Sequence, residues 1–289
     1  MKLLLVLSVF VFWNVENFFN PKLQSTNDSE MSFTPAGSHH WTRKRFEFKC
    51  LSISKTILSI ADSLGEMPDA VGLCEVEDAF CLRQLCEETL LRKWGYDFVH
   101  FDSRDPRGID CALLYRPSSL GRARAGQHFI VRGADTLATR SLLVAQFDSL
   151  ALVVVHLPSK LGGDKQARRN LALTTLGGLC DSLLRSGPVV AFGDFNDTRS
   201  ALSDSLMGAM TELECVGCGS YKFNGQWELI DRAFAAGVDA DMRVWNTDFL
   251  CEEDKKFGGV KPRRTYVGPR YNGGVSDHFP IAVCVRRRK

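Results

Sequence analysis

Val189-Val190-Ala191-Phe192-Gly193-Asp194-Phe195-Asn196-Asp197-Thr198 is the stretch on which the reading of the fold turns. Its first four residues are apolar, brief and bounded by turn residues, the pattern of a buried strand. Gly193 lets the backbone turn sharply there, or lie close to another group. Asp194 and Asn196 stand two apart, so on an extended backbone both side chains point to one side. Carboxylate and amide oxygens at the end of a buried strand are costly unless something uses them. A hard divalent cation and a phosphate would.

Other apolar runs stop in the same way. Val9–Val15 reads as a first strand, with Asn14, Glu16 and Asn17 at its end, and Ala70–Cys74 stops at Glu75. Ser141–Phe147 and Leu150–Val155 read as a hairpin whose second strand stops at His156. Asp110 opens a strand Cys111–Tyr115, and Asp231 lies inside the segment Tyr221–Phe234. The last strand, Phe279–Val285, begins directly after Asp277-His278. If that strand runs antiparallel to the others, its start lies at the edge where they end, and all these groups converge. Helical spacing is expected over Cys50–Leu64 and Ala79–Trp94, from an Asp164 cap to Ser186, and briefly over Ser200–Met210. The converging set holds carboxylates and amides for a hard cation and imidazoles for phosphate and proton transfer. It lacks cysteine, which favours Mg²⁺ or Mn²⁺ over zinc. Asp110 is a candidate to orient His156, the alternative being a strand-start turn.

The bulk numbers narrow the class. At 289 residues the chain is read as one α/β domain over 1–289. A net charge of +2 gives no global field toward nucleic acid and leaves only local basic surface for that purpose. The cysteines are scattered, several inside apolar runs (Cys74, Cys111, Cys284), as reduced core residues would be. Cys215-x-x-Cys218 lacks a second ligand pair for zinc. Met1-Lys2 with Leu3–Trp13 has the outline of an export signal, yet no small-x-small cleavage site follows. The run is therefore read as the first strand, with residues 1–8 as a vestigial leader. A cytoplasmic monomer is expected, export being the alternative. The run is too short for a comfortable membrane span. Asn20–Arg45, with His39-His40, is a long polar loop. Phe257, Tyr266 and Tyr271 among Lys255, Lys256, Arg263, Arg264 and Arg270 would suit bases plus backbone, the alternative being a solvated loop.

At these positions the chain resembles the endonuclease/exonuclease/phosphatase, or DNase I-like, superfamily. The matching segments are W-N-V-E-N at 13–17, G-L-C-E-V-E at 72–77, R-G-I-D-C-A-L-L-Y-R at 107–116 and H-L-P-S-K at 156–160. G-D-F-N-D at 193–197, W-E-L-I-D at 227–231 and S-D-H-F-P-I at 276–281 complete the series in the family's order. The chain is most similar to uncharacterised bacterial members. Gln226–Arg232 keeps only the aspartate and arginine of the inositol-phosphatase segment, and Phe195 and Asp197 depart from the abasic-site enzymes. The resemblance implies a four-layer α/β sandwich, two mixed sheets face to face with helices outside. It implies Glu75 as main metal ligand with Asp277, Glu16 and Asn14 nearby. Asp194 and Asn196 would activate water, and His278, oriented by Asp231, would contact the scissile phosphate. His156 would hold a non-bridging oxygen, and Asn14, Asp110 and Lys160 would touch substrate. The activity implied is Mg²⁺-dependent phosphodiester hydrolysis, a nuclease first. The alternative is a phosphomonoesterase or sphingomyelinase-like lipid hydrolase with the same site.

Overall fold

A computed structural model of the chain describes residues 6–22, 27–159, 165–198, 205–215 and 219–287. Two six-stranded sheets form its centre. One runs in the order Asp239–Val244, Ile281–Arg287, Val6–Phe18, Ala70–Val76, Asp110–Tyr115, Asp97–His100. The other runs Thr211–Glu212, Asp231–Ala236, Val189–Asp194, Ala151–His156, Leu142–Gln146, Arg124–His128. Each is mixed and has one parallel pair at its middle: Val6–Phe18 with Ala70–Val76, and Val189–Asp194 with Ala151–His156. Ile281–Arg287 lies antiparallel to the first strand, the direction that brings its start to the common edge.

Strand alternation explains the layers. Phe10, Phe12, Cys74 and Leu113 of one sheet share a buried cluster with Leu152, Val154, Val190, Phe192 and Ala233 of the other. Phe12 meets Phe192 edge-on across this interface, ring centroids 6.2 Å apart. The alternate residues Val11, Trp13, Val71 and Leu73 face outward, packing with Phe46, Ile53, Ile57 and Ile60 of the helix Arg43–Leu64. On the far side Val153, Val155, Val189 and Ala191 pack with Ala172, Leu176 and Cys180 of the helix Lys165–Leu184. Helix, sheet, sheet, helix is the four-layer arrangement expected.

Gly193 settles between its two readings. It stays in the strand and serves close approach: a Cβ there would lie 2.1 Å from the Val155 carbonyl oxygen. Gly193→Ala forces the central parallel pair apart, and overpacking of this kind costs roughly 1–3 kcal/mol. Thermal unfolding is expected to show a Tm lowered by roughly 2–12 °C, from about 2–4 °C per kcal/mol at this size. An unchanged Tm would mean that the close packing is not needed.

Several boundaries differ from the sequence expectation. The first long helix begins at Arg43, not Cys50, because Thr42 caps it by accepting from the Arg45 N–H. The expected helix Ala79–Trp94 ends at Glu87 and resumes as a 3₁₀ turn, Leu90–Trp94. Thr89, between them, bonds back to the Leu85 carbonyl at 2.6 Å. The polar segment after Asn20 holds a short helix, Asp28–Ser32, and His39 stacks on Phe33 at 4.2 Å. Val6, Leu7 and Ser8 belong to the first strand, paired with Arg287, Arg286 and Val285. Cys50, Cys74, Cys81, Cys86, Cys111, Cys180, Cys251 and Cys284 are free thiols. Among the described residues no helix is long and apolar enough to cross a membrane. The Asp164 cap, residues 200–204 of the expected helix Ser200–Met210 and Cys218 lie outside the described residues.

Candidate active site

The interface between the sheets is apolar for most of its height and turns polar at one edge. The next inward-facing residues after Phe12, Val154 and Phe192 are Asn14, His156 and Asp194, and Asp231 precedes Ala233 on the same face. Register sets Asp194 beside His156 on one side and Asp231 on the other, while Asn14 pairs with Cys74, directly before Glu75. The polar site is thus the continuation of the apolar core, one strand period further on.

The side chains meet there. Asn14 Nδ2 donates to Asp194 Oδ2 at 3.1 Å across the sheets. His278 Nδ1 is 2.7 Å from Asp231 Oδ2, and its Nε2 is 4.0 Å from Asp194 Oδ2. His156 Nε2 is 3.6 Å from the same Asp194 oxygen. The approach to Ile281 is pinned: Trp13 Nε1 donates to the His278 carbonyl at 2.9 Å, and Ser276 Oγ donates to the Asn14 carbonyl at 2.6 Å. Two buried polar atoms of this group, His156 Nδ1 and Asp231 Oδ1, have no protein partner. Such atoms are rare in native folds and call for a functional explanation.

Burial drives the protonation states apart. It raises the Asp194 carboxyl to about 7, with Asp231 adding to the rise and His278 opposing it. It also drives His156 well below its ordinary value, helped by Arg140 and Arg107, so His156 is a neutral imidazole near neutral pH. Burial opposes charge on His278 too, but Asp231 in contact, with Asp277 and Asp194 behind it, raises that group well above its ordinary value. One carboxyl balanced near neutrality beside one neutral and one charged imidazole is an acid–base set.

Glu16, Glu75 and Asp277 form a second set beside it. Backbone geometry aims the first two: Glu16, Asn17 and Glu75 are left-handed, with φ of 47°, 53° and 63°, at breaks in strand register. Bulges and strained backbone of this kind re-aim side chains at functional edges. Glu75 accepts from the Asn17 N–H at 2.9 Å and from Arg107 at 3.2 Å. Arg264 reaches Glu16 at 3.3 Å and Asp277 at 3.0 Å. Lys49, fully enclosed, bonds to the Glu16 carbonyl oxygen and to Thr265 Oγ1. Burial lowers the Lys49 ammonium to about 8, and all three carboxylates pull against that fall. Burial, then Asp277, raises Glu16 to about 7, against the pull of Lys49 and Arg264. An all-oxygen donor set of this kind fits a Mg²⁺-like ion. The three carboxylates do not close into one tight cluster, their near partners being Arg107 and Arg264. Asp194, Asp231 and His278 do, and so do Cys74, His156 and Asp194.

Three expectations need correction. Asp110 does not orient His156: its Oδ2 lies 3.4 Å from His100 Nε2 and its Oδ1 accepts from the Ser103 N–H at 2.8 Å. Instead Arg140 fixes the end of the His156 strand through the carbonyls of His156 and Leu157, at 3.2 and 2.6 Å. Strand alternation does not aim Asn196: the strand ends at Asp194, Asn196 is left-handed at φ 50°, and its N–H caps Asp194 Oδ1 at 2.8 Å. Its amide donates to the Leu157 carbonyl at 2.9 Å. Of the aromatics at 257–271, Tyr266 is buried against Phe33 and Trp41, and Tyr271 is covered by Arg45. Only Phe257 of the three is exposed. Lys160 lies outside the described residues. Sequence reasoning assigned no role to Lys49, Arg107, Arg140 or Tyr221. A lysine among the apolar positions of a helix was the available signal for Lys49; the others are set by tertiary approach alone.

A family model described as Endonuclease/Exonuclease/phosphatase family matches residues 9–287. A family protein from Bacteroides thetaiotaomicron superposes with a TM-score of 0.60 at 14% identity, covering 99% of both chains. D. rerio TDP2, complexed with a single-strand DNA product, gives 0.59 at 18% identity over 97% of this chain and 99% of its own. Beta toxin from Staphylococcus aureus gives 0.62 at 13% over 96% and 99%. At these identities the likeness shows the fold. A comparison with curated proteins finds no match.

Proposed function

We infer, from the premise that the chain belongs to the Endonuclease/Exonuclease/phosphatase family, that it is a Mg²⁺-dependent phosphodiesterase acting on nucleic acid by attack of an activated water. The observation that carries this reading is the contact set Asp231–His278–Asp194–His156, closed by Asn14 from the opposite sheet.

Each side chain has a task its environment supports. Asp194, near neutrality, takes the proton of the attacking water, and Asn14 and the Asn196 N–H hold the carboxylate in place. His278, kept charged by Asp231, donates to the phosphoryl oxygens and passes a proton to the leaving oxygen. His156, neutral, keeps one ring N–H for a non-bridging oxygen. Glu75, Asp277 and Glu16 would hold Mg²⁺, with Mn²⁺ as substitute, which neutralises charge on the phosphoryl group. Support for a nucleic-acid substrate comes from the DNA product bound to the TDP2 neighbour and from the cations of segment 255–270.

The test is a panel of DNA, RNA, sphingomyelin and inositol phosphates, each with Mg²⁺ or EDTA. Cleavage of a nucleic-acid strand, lost in EDTA and weakening steeply with salt, is expected. Cleavage confined to the lipid or the small phosphates would overturn the substrate class. The pH profile follows from Asp194. With its carboxyl raised to about 7, the active carboxylate form is scarce in acid, so kcat is expected to rise about tenfold per unit below pH 7 and to level off above it. A flat profile from pH 5 to 8 would remove Asp194 from the role of base.

A further inference from the structure

We propose that Phe223 is a base-stacking position, holding the nucleobase next to the phosphate engaged by His278 in a single-stranded nucleic acid. The proposal rests on the nuclease reading and narrows its substrate.

The hairpin Tyr221–Phe223/Gln226–Glu228 turns at Asn224 and Gly225, whose φ angles of 47° and 82° are both positive, as a tight two-residue turn requires. Alternation puts Tyr221 and Phe223 on one face and Lys222 with its cross-strand partner Trp227 on the other. On the first face a line of rings leads out of the catalytic group. The Tyr221 ring lies 4.9 Å from the His278 ring, centroid to centroid, and its backbone bridges to His278. Phe223 stacks near-parallel on Tyr221, 13° between planes and 6.5 Å between centroids. Tyr221 is half-buried; Phe223, at the outer end, is 50% exposed. An open phenyl ring at the end of a line of rings that starts at the His278 imidazole is a platform for one more flat ring.

The hairpin is held still. Lys222 Nζ pairs with Asp254 at 3.0 Å and donates to the Gly258 carbonyl at 2.8 Å, fastening it to the ladder Cys251–Glu253/Val260–Pro262. Trp227 stacks on Phe279. Residues 251–270, on which the hairpin leans, carry six Lys or Arg against three Asp or Glu. Cations on the segment against which the hairpin leans suit a strand with phosphates between its bases, and every base has a face to stack. Exposed rings flank the turn, Phe223, Trp227 and Phe257, so a bilayer is the competing occupant, which the vesicle arm of the test separates.

The experiment uses the full chain, a short DNA strand carrying 2-aminopurine, and a base-free strand with the same number of phosphates. The wild type is expected to quench 2-aminopurine on binding. Phe223→Ala is expected to abolish the quenching and raise KM for DNA about tenfold, within the range of one lost base stack, with KM for the base-free strand unchanged. Phe223→Trp should keep both. Equal losses on the two strands, absence of quenching in the wild type, or an effect seen only on sphingomyelin vesicles would overturn the proposal. Quenching without cleavage of any strand would sink the nuclease reading while leaving the stacking position standing.

Discussion

Asp194→Asn is expected to lower kcat by about 10²–10⁴-fold, the range associated with a positioned acid–base group, while the protein stays folded. The amide matches the carboxylate in shape and keeps an Oδ1 for the Asn196 N–H. What it removes is the ability to take a proton from water. Its effect on stability has the opposite direction. The folded-state carboxyl of Asp194 is raised by burial from 3.8 to about 7, so the folded chain holds that proton more tightly than the unfolded chain does. Stability from this group is therefore present below pH 3.8 and lost as pH rises toward 7. The amide has no such loss, although its Nδ2 faces the Asn14 donor, so the Tm of the variant relative to wild type should rise from pH 5 to pH 8. A catalytic loss joined to that gain is what a destabilised functional carboxylate produces. Initial rates with melting curves at the two pH values measure both, and full activity would end the assignment.

The second large effect is at His278. His278→Ala is expected to lower kcat by at least about 10²-fold by removing the charged donor to the phosphoryl group. It also strands Asp231, which is buried beside it and whose Oδ1 already lacks a partner. Breaking a buried pair in this way destabilises by about 3–5 kcal/mol, so rate and fold must be separated. His278→Gln fills most of the space and keeps an N–H toward Asp231, but it cannot carry the charge. It should fold better than the alanine variant and remain as slow. Recovery of wild-type rate in the glutamine variant would show that shape, not charge, is what His278 supplies.

The central strands were legible because each is apolar, short and stopped by one polar residue, and the inward-facing residues along Val189–Asp194 lead straight to the site. The edge strands were not. Asp239–Val244 alternates Asp239, Asp241 and Arg243 with Ala240, Met242 and Val244 but is short and charged, whereas Arg124–His128 carries polar residues on both faces and is a strand only because a central strand offers it a partner. The same division runs through the site. Asn14, His156, Asp194, Asp231 and His278 sit at strand ends or starts, where pattern locates them. Arg107, Arg264 and Lys49 reach Glu75 and Glu16 from elements far away in sequence, and no local signal announces such contacts. Asp110 was assigned to the wrong histidine for that reason: His100 and His156 both lie near strand ends, and only the pairing of Asp97–His100 with Asp110–Tyr115 decides between them. Asn196 shows the limit of alternation, since a left-handed turn follows the strand directly.

In the proposed mechanism Asp194 of one sheet and His278, at the start of a strand of the other, act as one unit on one phosphate. A double-mutant cycle on kcat with Asp194→Asn and His278→Gln tests it most directly, because residues that act as a unit are strongly non-additive. The double variant is expected to be no more than about tenfold slower than the worse single variant. Losses that multiply in full would show two groups working independently, and the shared site described above would not exist.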